Sequence, residues 1–213
     1  MPLSPPAARR HIHTRKVTCT GYRREDGMWD IEGHITDEKT YAFENAWRGS
    51  IAPGEFIHQM WVRLTVDDSF TVRAVEAVTD HSPFPVCPAI TPAFQKLIGL
   101  KIVSGWTAAV KERLGGVQGC THLVELLGPV ATTAFQTIGP MLAKEREAAR
   151  KAEEAAAKAE GRPPPPTSRP VLLNTCHAFR SDGPIVKKAW PTHYTGPAEG
   201  EAETAPDEAG HSR

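Results

Sequence analysis

A thiol and an imidazole lie two residues apart in the run Gly119-Cys120-Thr121-His122-Leu123. Three preceding glycines predict a tight turn, and the apolar residues that follow have the three-and-four spacing of a buried helical stripe. Cys120 is therefore expected at a helix start, where free N–H groups and the helix dipole favour a thiolate. The stripe consists of Leu123, Leu126, Leu127, Val130, Ala134, Phe135 and Ile138.

Further residues of metal-ligand type fall at predicted junctions between elements. Thiolate and imidazole together suit zinc or iron, and a site needs three or four such groups. Their spacing is long-range, unlike the compact pairs of a zinc finger. Each residue also has an ordinary explanation as a packed or solvated side chain. The candidate ligands are His58, Asp80, Cys87, Cys120, His122 and Cys176.

Four extended runs precede the helical part of the chain. An Asp-Gly pair separates the first two runs, and an Asp-Asp pair separates the last two, which is typical of hairpins. Alternation of apolar and polar residues predicts one buried and one solvated face. The runs, at 17–24, 29–37, 56–66 and 70–79, predict an antiparallel meander sheet.

Helical signals follow the sheet, which predicts an α+β fold with helices packed on one face. We expect a flexible arm at 1–15 and an α+β domain at 16–140. Gly139-Pro140 predicts the end of the striped helix, before an exposed charged helix and a Pro-rich linker at 141–170. Residues 171–194 regain apolar character and are expected to dock on the domain, and 195–213 to be disordered.

Composition limits the classes of partner. Lys and Arg together number 25, as do Asp and Glu, so no basic field attracts nucleic acid or an anionic membrane. No apolar run has the length of a membrane span, and the N-terminus lacks a signal-peptide core. We expect a cytoplasmic protein whose 4 cysteines are mostly reduced and available for metal or chemistry.

Several motifs extend along the chain: His13-Thr14-Arg15, Gly21-Tyr22-Arg23-Arg24-Glu25-Asp26-Gly27, Trp29-Asp30-Ile31-Glu32, Gly119-Cys120-Thr121-His122-Leu123 and Asn174-Thr175-Cys176-His177-Ala178. Together they resemble a bacterial domain family of unknown function, across roughly residues 10–194. This resemblance implies no particular activity.

A second pattern covers residues 53–138. Phe56 to Met60 leads into a strand, Cys87 follows the next strand, and Gly119-Cys120 opens a helix. This order is similar to iron–sulfur scaffold proteins of the NifU/IscU type, and the resemblance implies their layout and a metal or iron–sulfur site. Three family positions differ, because Phe56 replaces the first Cys, His58 the Asp, and Gly119 the helix-opening His.

Three functions remain open at this point. The leading hypothesis is a metal-binding or iron–sulfur-handling protein that supports a partner enzyme, with His58, Cys87 and Cys120 as ligands and His122 or Asp80 completing the site. The second is an enzyme that uses Cys120 as nucleophile with a nearby His as base. The third is a protein-interaction module built on the charged helix and the tail.

Overall fold

The computed structural model describes residues 3–164 and 169–197, and it contains six strands within those ranges. The four long strands form one antiparallel sheet in the order β1-β2-β5-β6, and the two short strands form a separate ribbon. The predicted α+β class with four antiparallel strands followed by helices is confirmed. The strands are β1 (His13–Arg23), β2 (Trp29–Lys39), β3 (Phe43–Asn45), β4 (Gly49–Ile51), β5 (Phe56–Val66) and β6 (Val72–His81).

Two features of the sheet were not expected from the sequence. β1 begins at His13, inside the predicted arm, because His13 pairs with Lys39 at the far end of β2. The β3–β4 ribbon lies in the connection between the second and third predicted strands, where no strand was predicted. Its tight turn is held by the Asn45 side chain, which accepts hydrogen bonds from the backbone N–H groups of Trp47 and Arg48.

The helical part begins directly after the sheet and contains one dominant helix. Three α-helices are present in the described residues: α1 (Trp106–Leu114), α2 (Thr121–Ala159) and α3 (Pro184–Ala189). The start of α2 agrees with the prediction, since the Cys120 carbonyl accepts the N–H of Val124. The 3₁₀ segments are Cys87–Leu97, Gly116–Gln118, His177–Phe179 and Pro191–His193.

The prediction that the striped helix ends at Gly139-Pro140 is wrong. α2 continues through both Pro129 and Pro140. Each of these prolines follows a glycine, which removes the Cβ that would clash with the proline ring in helical backbone. Leu142, beyond the second proline, is buried in the core and extends the apolar stripe. Core packing therefore continues the helix where local signals predict its end.

The chain divides into two compact units, Met1–Ala149 and Arg150–Arg213, with the boundary inside α2. The boundaries expected after residues 140 and 170 stay predictions. The docking of segment 171–194 stays a prediction. Residues 1–2 of the predicted arm, 165–168 of the predicted linker and 198–213 of the predicted tail lie outside the described residues.

The core of the first unit lies between one face of the sheet and the helical segments. It joins buried side chains of β2, β5 and β6 to those of the 3₁₀ segment, α1 and α2. The largest include Trp29, Phe94, Leu114 and Leu126, each at most 1% exposed. Among the helices that the structure describes, none combines the length and apolarity needed to cross a membrane.

Gly33 brings α2 close to the middle of the sheet. A Cβ at this position would lie 2.6 Å from Val130 Cγ2 and 2.9 Å from Leu126 Cγ. These two side chains fill the space that a larger residue on β2 would need. The spacing between β2 and α2 therefore depends on glycine, and it sets the distance between groups that the two elements carry.

Replacing Gly33 by Ala should lower the free energy of unfolding by about 1–3 kcal/mol, because the added methyl overpacks a filled core. Chemical denaturation measures this change. Ala74→Val, which adds methyl groups at an exposed position of β6, is the control and should change stability by less than about 0.5 kcal/mol. Equal effects of the two substitutions would contradict the close approach of α2.

Candidate metal centre

Asp37 is a buried carboxylate at the end of β2, and only 1% of it is exposed. Oδ1 accepts hydrogen bonds from His13 Nε2 at 2.9 Å and Arg15 Nε at 2.8 Å. Oδ2 accepts from Arg15 Nη2 at 2.9 Å and His58 Nδ1 at 3.0 Å. A carboxylate offers about four lone-pair sites, so Asp37 is fully hydrogen-bonded.

His58 lies directly opposite Asp37 in the pairing of β2 with β5. Because side chains of opposed residues share a face, the register itself brings the imidazole to the carboxylate. The carboxylate holds the proton on Nδ1 of His58, which leaves Nε2 as the free, electron-donating nitrogen. The side chain is only 12% exposed.

His122 reaches the same place from the first turn of α2. Its ring centroid lies 3.8 Å from that of His58, with an angle of 31° between the ring planes. One ligand atom each from Asp37, His58 and His122 lie within 4.8 Å of one another. We call these three residues the Asp–His–His cluster; it is of a size that one metal ion could occupy.

Arg15 connects the cluster to both of the elements that build it. Its Nε and Nη2 hold Asp37, while Nη1 donates to Glu125 Oε2 at 2.6 Å. Glu125 is one turn beyond His122 on α2. The guanidinium therefore fixes β1 to the end of β2 and to the start of α2 at once.

The two histidines of the cluster are held in their neutral form. Burial lowers the pKa of His58, and the proximity of His122 lowers it further, against the opposing effect of Asp37. Burial and the charge of Arg15 also lower the pKa of His122. Neutral imidazole is the form that binds a metal ion or accepts a proton, so both groups are ready for either role near pH 7.

The carboxyl group of Asp37, in contrast, is held in its charged form by a lowered pKa. Burial by itself would raise its pKa, but hydrogen bonds and charge from Arg15, with contributions from His13 and His58, outweigh burial and lower it. Asp37 thus stays ionised in the interior because its donors replace the lost water.

A cleft of about 360 Å³ opens beside the two histidines. His58, Cys87, Cys120 and His122 all contribute to its wall, so four sequence-predicted candidates meet there. The thiols are outside the Asp–His–His cluster, and Cys120 Sγ lies 4.0 Å from Met60 Sδ. The remaining lining residues are Pro83, Phe84, Val86, Ile90, Val117, Gly119 and Thr121.

Gly119 permits the close turn that places Cys120 and His122 at this cleft. A Cβ on Gly119 would lie 2.3 Å from the Leu114 carbonyl oxygen, so only glycine allows α1 and α2 to be joined this tightly. The glycine-based turn predicted before Cys120 is thus present.

The other two predicted ligands lie elsewhere. Asp80 is exposed on β6, and its carboxylate accepts a hydrogen bond from Trp61 Nε1 at 2.8 Å. It does not complete the cluster, because Trp61 holds it on the exposed surface. Cys176 is an exposed free cysteine of the second unit. Neither is a member of the Asp–His–His cluster.

Asp37 and Arg15 were not among the residues predicted to form a site. The sequence places Asp37 at the end of a predicted strand and predicts Arg15 in a flexible arm. A usable signal did exist, since Asp37 falls on the same alternating face as Ile31 and Ile35. A carboxylate on a buried stripe demands cationic or N–H partners.

Fold and site together define the class: an α+β protein with a histidine–carboxylate cluster at one end of its sheet, beside an open cleft. A family model with the description "Protein of unknown function (DUF2889)" matches residues 13–136, and the chain belongs to this family. The matched region contains the whole cluster and Arg15. Comparisons with curated proteins and with solved structures find no match.

Asp37→Asn should lower the free energy of unfolding by about 1–3 kcal/mol near pH 7, because the buried amide carries no charge and its N–H groups face the donors of Arg15 and His58. The native contribution is complete above the ordinary pKa of 3.8 and is lost as the pH falls through the lowered native pKa. The difference from wild type should therefore shrink in acid, as measured by denaturation across pH on chelator-treated protein.

The matched control is Glu32→Gln on the same strand, where the carboxylate pairs with Arg63 at a partly exposed position. This substitution should lower the free energy of unfolding by less than about 1 kcal/mol. If Asp37→Asn lowered the free energy of unfolding no more than Glu32→Gln, the structural role of the buried charge would be contradicted. A decrease that does not depend on pH would contradict it as well.

Proposed function

We propose that the protein binds a first-row transition-metal ion, zinc or iron(II), through His58 and His122. The observation that carries this proposal is the Asp–His–His cluster, whose ligand atoms lie within 4.8 Å of one another at the wall of a cleft. Imidazole is a preferred ligand of both ions.

Asp37 acts in this proposal as the partner of a ligand. Its four accepted hydrogen bonds use the lone pairs that a metal would need, so direct ligation would leave Arg15 or a histidine without an acceptor. Metal-binding histidines usually donate their second nitrogen to a carboxylate, which fixes the ring and raises its basicity. The contact of His58 with Asp37 has this form.

A single ion fits the cleft better than an iron–sulfur cluster. Such clusters are held mainly by cysteine thiolates. Among the described cysteines, Cys87 and Cys120 line the cleft, whereas Cys19 packs against the core and Cys176 is exposed in the other unit. The likeness to NifU/IscU-type scaffolds, and a role beside a partner enzyme, therefore rest on the residue pattern alone.

Protein prepared without a histidine tag under anaerobic conditions should bind about one zinc or iron(II) ion per chain. Zinc at a hundredfold excess over its Kd should stabilise the chain by about 2.7 kcal/mol. Elemental analysis and thermal unfolding measure these effects. His58→Ala and His122→Ala should abolish both effects, while Asp37→Asn should weaken affinity about 10–100-fold.

His81→Ala is the matched control, because His81 lies on the neighbouring strand β6 and is not a member of the cluster. It should retain the ion. Undiminished metal content in the double variant of His58 and His122 would refute the assignment, as would a wild-type chain whose stability is unchanged by added zinc and iron(II).

A second candidate function is cysteine-based catalysis. His58 is oriented by a buried carboxylate, as a general base is in hydrolases, and two thiols share its cleft. The contact of Cys120 with Met60 places that thiol against the core. Cys87, at the first residue of the 3₁₀ segment, is the alternative nucleophile.

Thiol alkylation distinguishes the two functions. If a histidine base activates either thiol, iodoacetamide should label Cys87 or Cys120 in metal-free protein at least about tenfold faster than exposed Cys176, and His58→Ala should remove the advantage. Peptide mass spectrometry gives the three rates. Labelling of both cleft thiols more slowly than Cys176 would exclude the catalytic alternative.

A further inference from the structure

We infer that the metal centre binds a small carboxylate with an apolar tail, whose head occupies an open coordination position and whose tail fills the cleft. This inference rests on the proposed function and assigns the class of ligand that the site takes. Three observations lead to it: the number of protein ligands, the balance of charge, and the chemistry of the cleft wall.

The Asp–His–His cluster supplies few ligands to the ion. His58 and His122 each offer one nitrogen, and Asp37 is saturated by its own donors. Closed structural zinc sites have four protein ligands, whereas sites that act on other molecules keep a position open. The two histidines line the cleft, so a ligand in the cleft has access to the open positions.

Charge favours an anion as that ligand. Asp37 and Glu125 contribute two negative charges, and Arg15 between them contributes one positive charge. A histidine that ligates a metal ion does so in its neutral form, so a divalent ion leaves one positive charge unbalanced at the site. Among the residues that the structure describes, no Asp, Glu, Lys or Arg lines the cleft. A monoanion from outside supplies the missing charge.

The wall of the cleft specifies the rest of the ligand. Beyond the histidines and thiols it is mainly apolar, with Phe84, Val86 and Val117 respectively 47%, 73% and 91% exposed at its surface. Apolar side chains exposed together in a concave site are typical of small-molecule binding. An alkyl tail would cover them while the carboxylate contacts the ion.

Calorimetric titration of the full chain with octanoate tests the inference. Zinc-loaded protein should bind about one octanoate, at least about tenfold more tightly than it binds octanamide, which has the same tail without the charge. Zinc-free protein should bind octanoate at least about tenfold more weakly. His58→Ala should behave like the zinc-free chain, and His81→Ala like wild type.

Charge changes at the rim provide a second test that leaves the ligands untouched. Val117→Lys and Val117→Glu lose the same apolar contact with the tail, so the lysine variant should bind octanoate about tenfold more tightly than the glutamate variant in the zinc-loaded chain at low salt. Val117 is 91% exposed, so neither variant disturbs the core. The same substitutions at Val103, which is 47% exposed in the first unit and does not line the cleft, are the control and should show no difference between the two charges.

Each other outcome overturns the inference. Equal affinity for octanoate and octanamide would show an apolar site without anion selection. Equal affinity with and without zinc would remove the metal from recognition. A thiolate-to-metal charge-transfer band in the cobalt(II)-loaded chain would show that Cys87 or Cys120 fills the open position. Zinc binding without octanoate binding leaves the proposed function intact, whereas absence of zinc binding refutes both.

Discussion

The ionised carboxylate of Asp37, buried at the end of β2, is the constraint on which the rest of the site depends. A charge with 1% exposure requires donors from the protein, and these come from β1 and β5. Arg15 extends the arrangement to α2 through Glu125. Satisfying one carboxylate therefore fixes the strand and the helix that carry the two histidines, and it orients His58 as well.

The sequence predicts the sheet well because its strands have local signals. Trp29, Ile31 and Ile35 alternate with polar residues, and the structure buries all three. The extent of α2 could not be read in the same way. Gly139-Pro140 is a local stop signal, but the core contact of Leu142 decides the outcome, and that contact requires the folded sheet. Propensity describes neighbours in sequence, whereas this helix is stabilised by neighbours in space.

The candidate site likewise combines features with local sequence signals and features that depend on contacts in the folded chain. The positions of His58, on the face of Met60, and of His122, at a helix start, follow from periodicity. The distance of 3.8 Å between their ring centroids depends on the close packing of α2 against β2, and Gly33 permits that packing. Asp80 was a reasonable ligand by residue type, yet a hydrogen bond to Trp61 holds it at the surface. The sequence therefore predicts which residues can act as ligands and which face of an element they occupy. It does not predict which side chains from other elements they contact.

The long separation between the parts of the site has a consequence for the protein during its synthesis. Arg15 and Glu125 are 110 residues apart in the sequence. His58 precedes the last strand of the sheet in the sequence, and His122 follows it. A chain still emerging from the ribosome presents Asp37 and His58 before the start of α2 exists. Under the proposed metal binding, both histidines would be in place only after α2 has packed, so an ion at this site would mark a first unit that has folded.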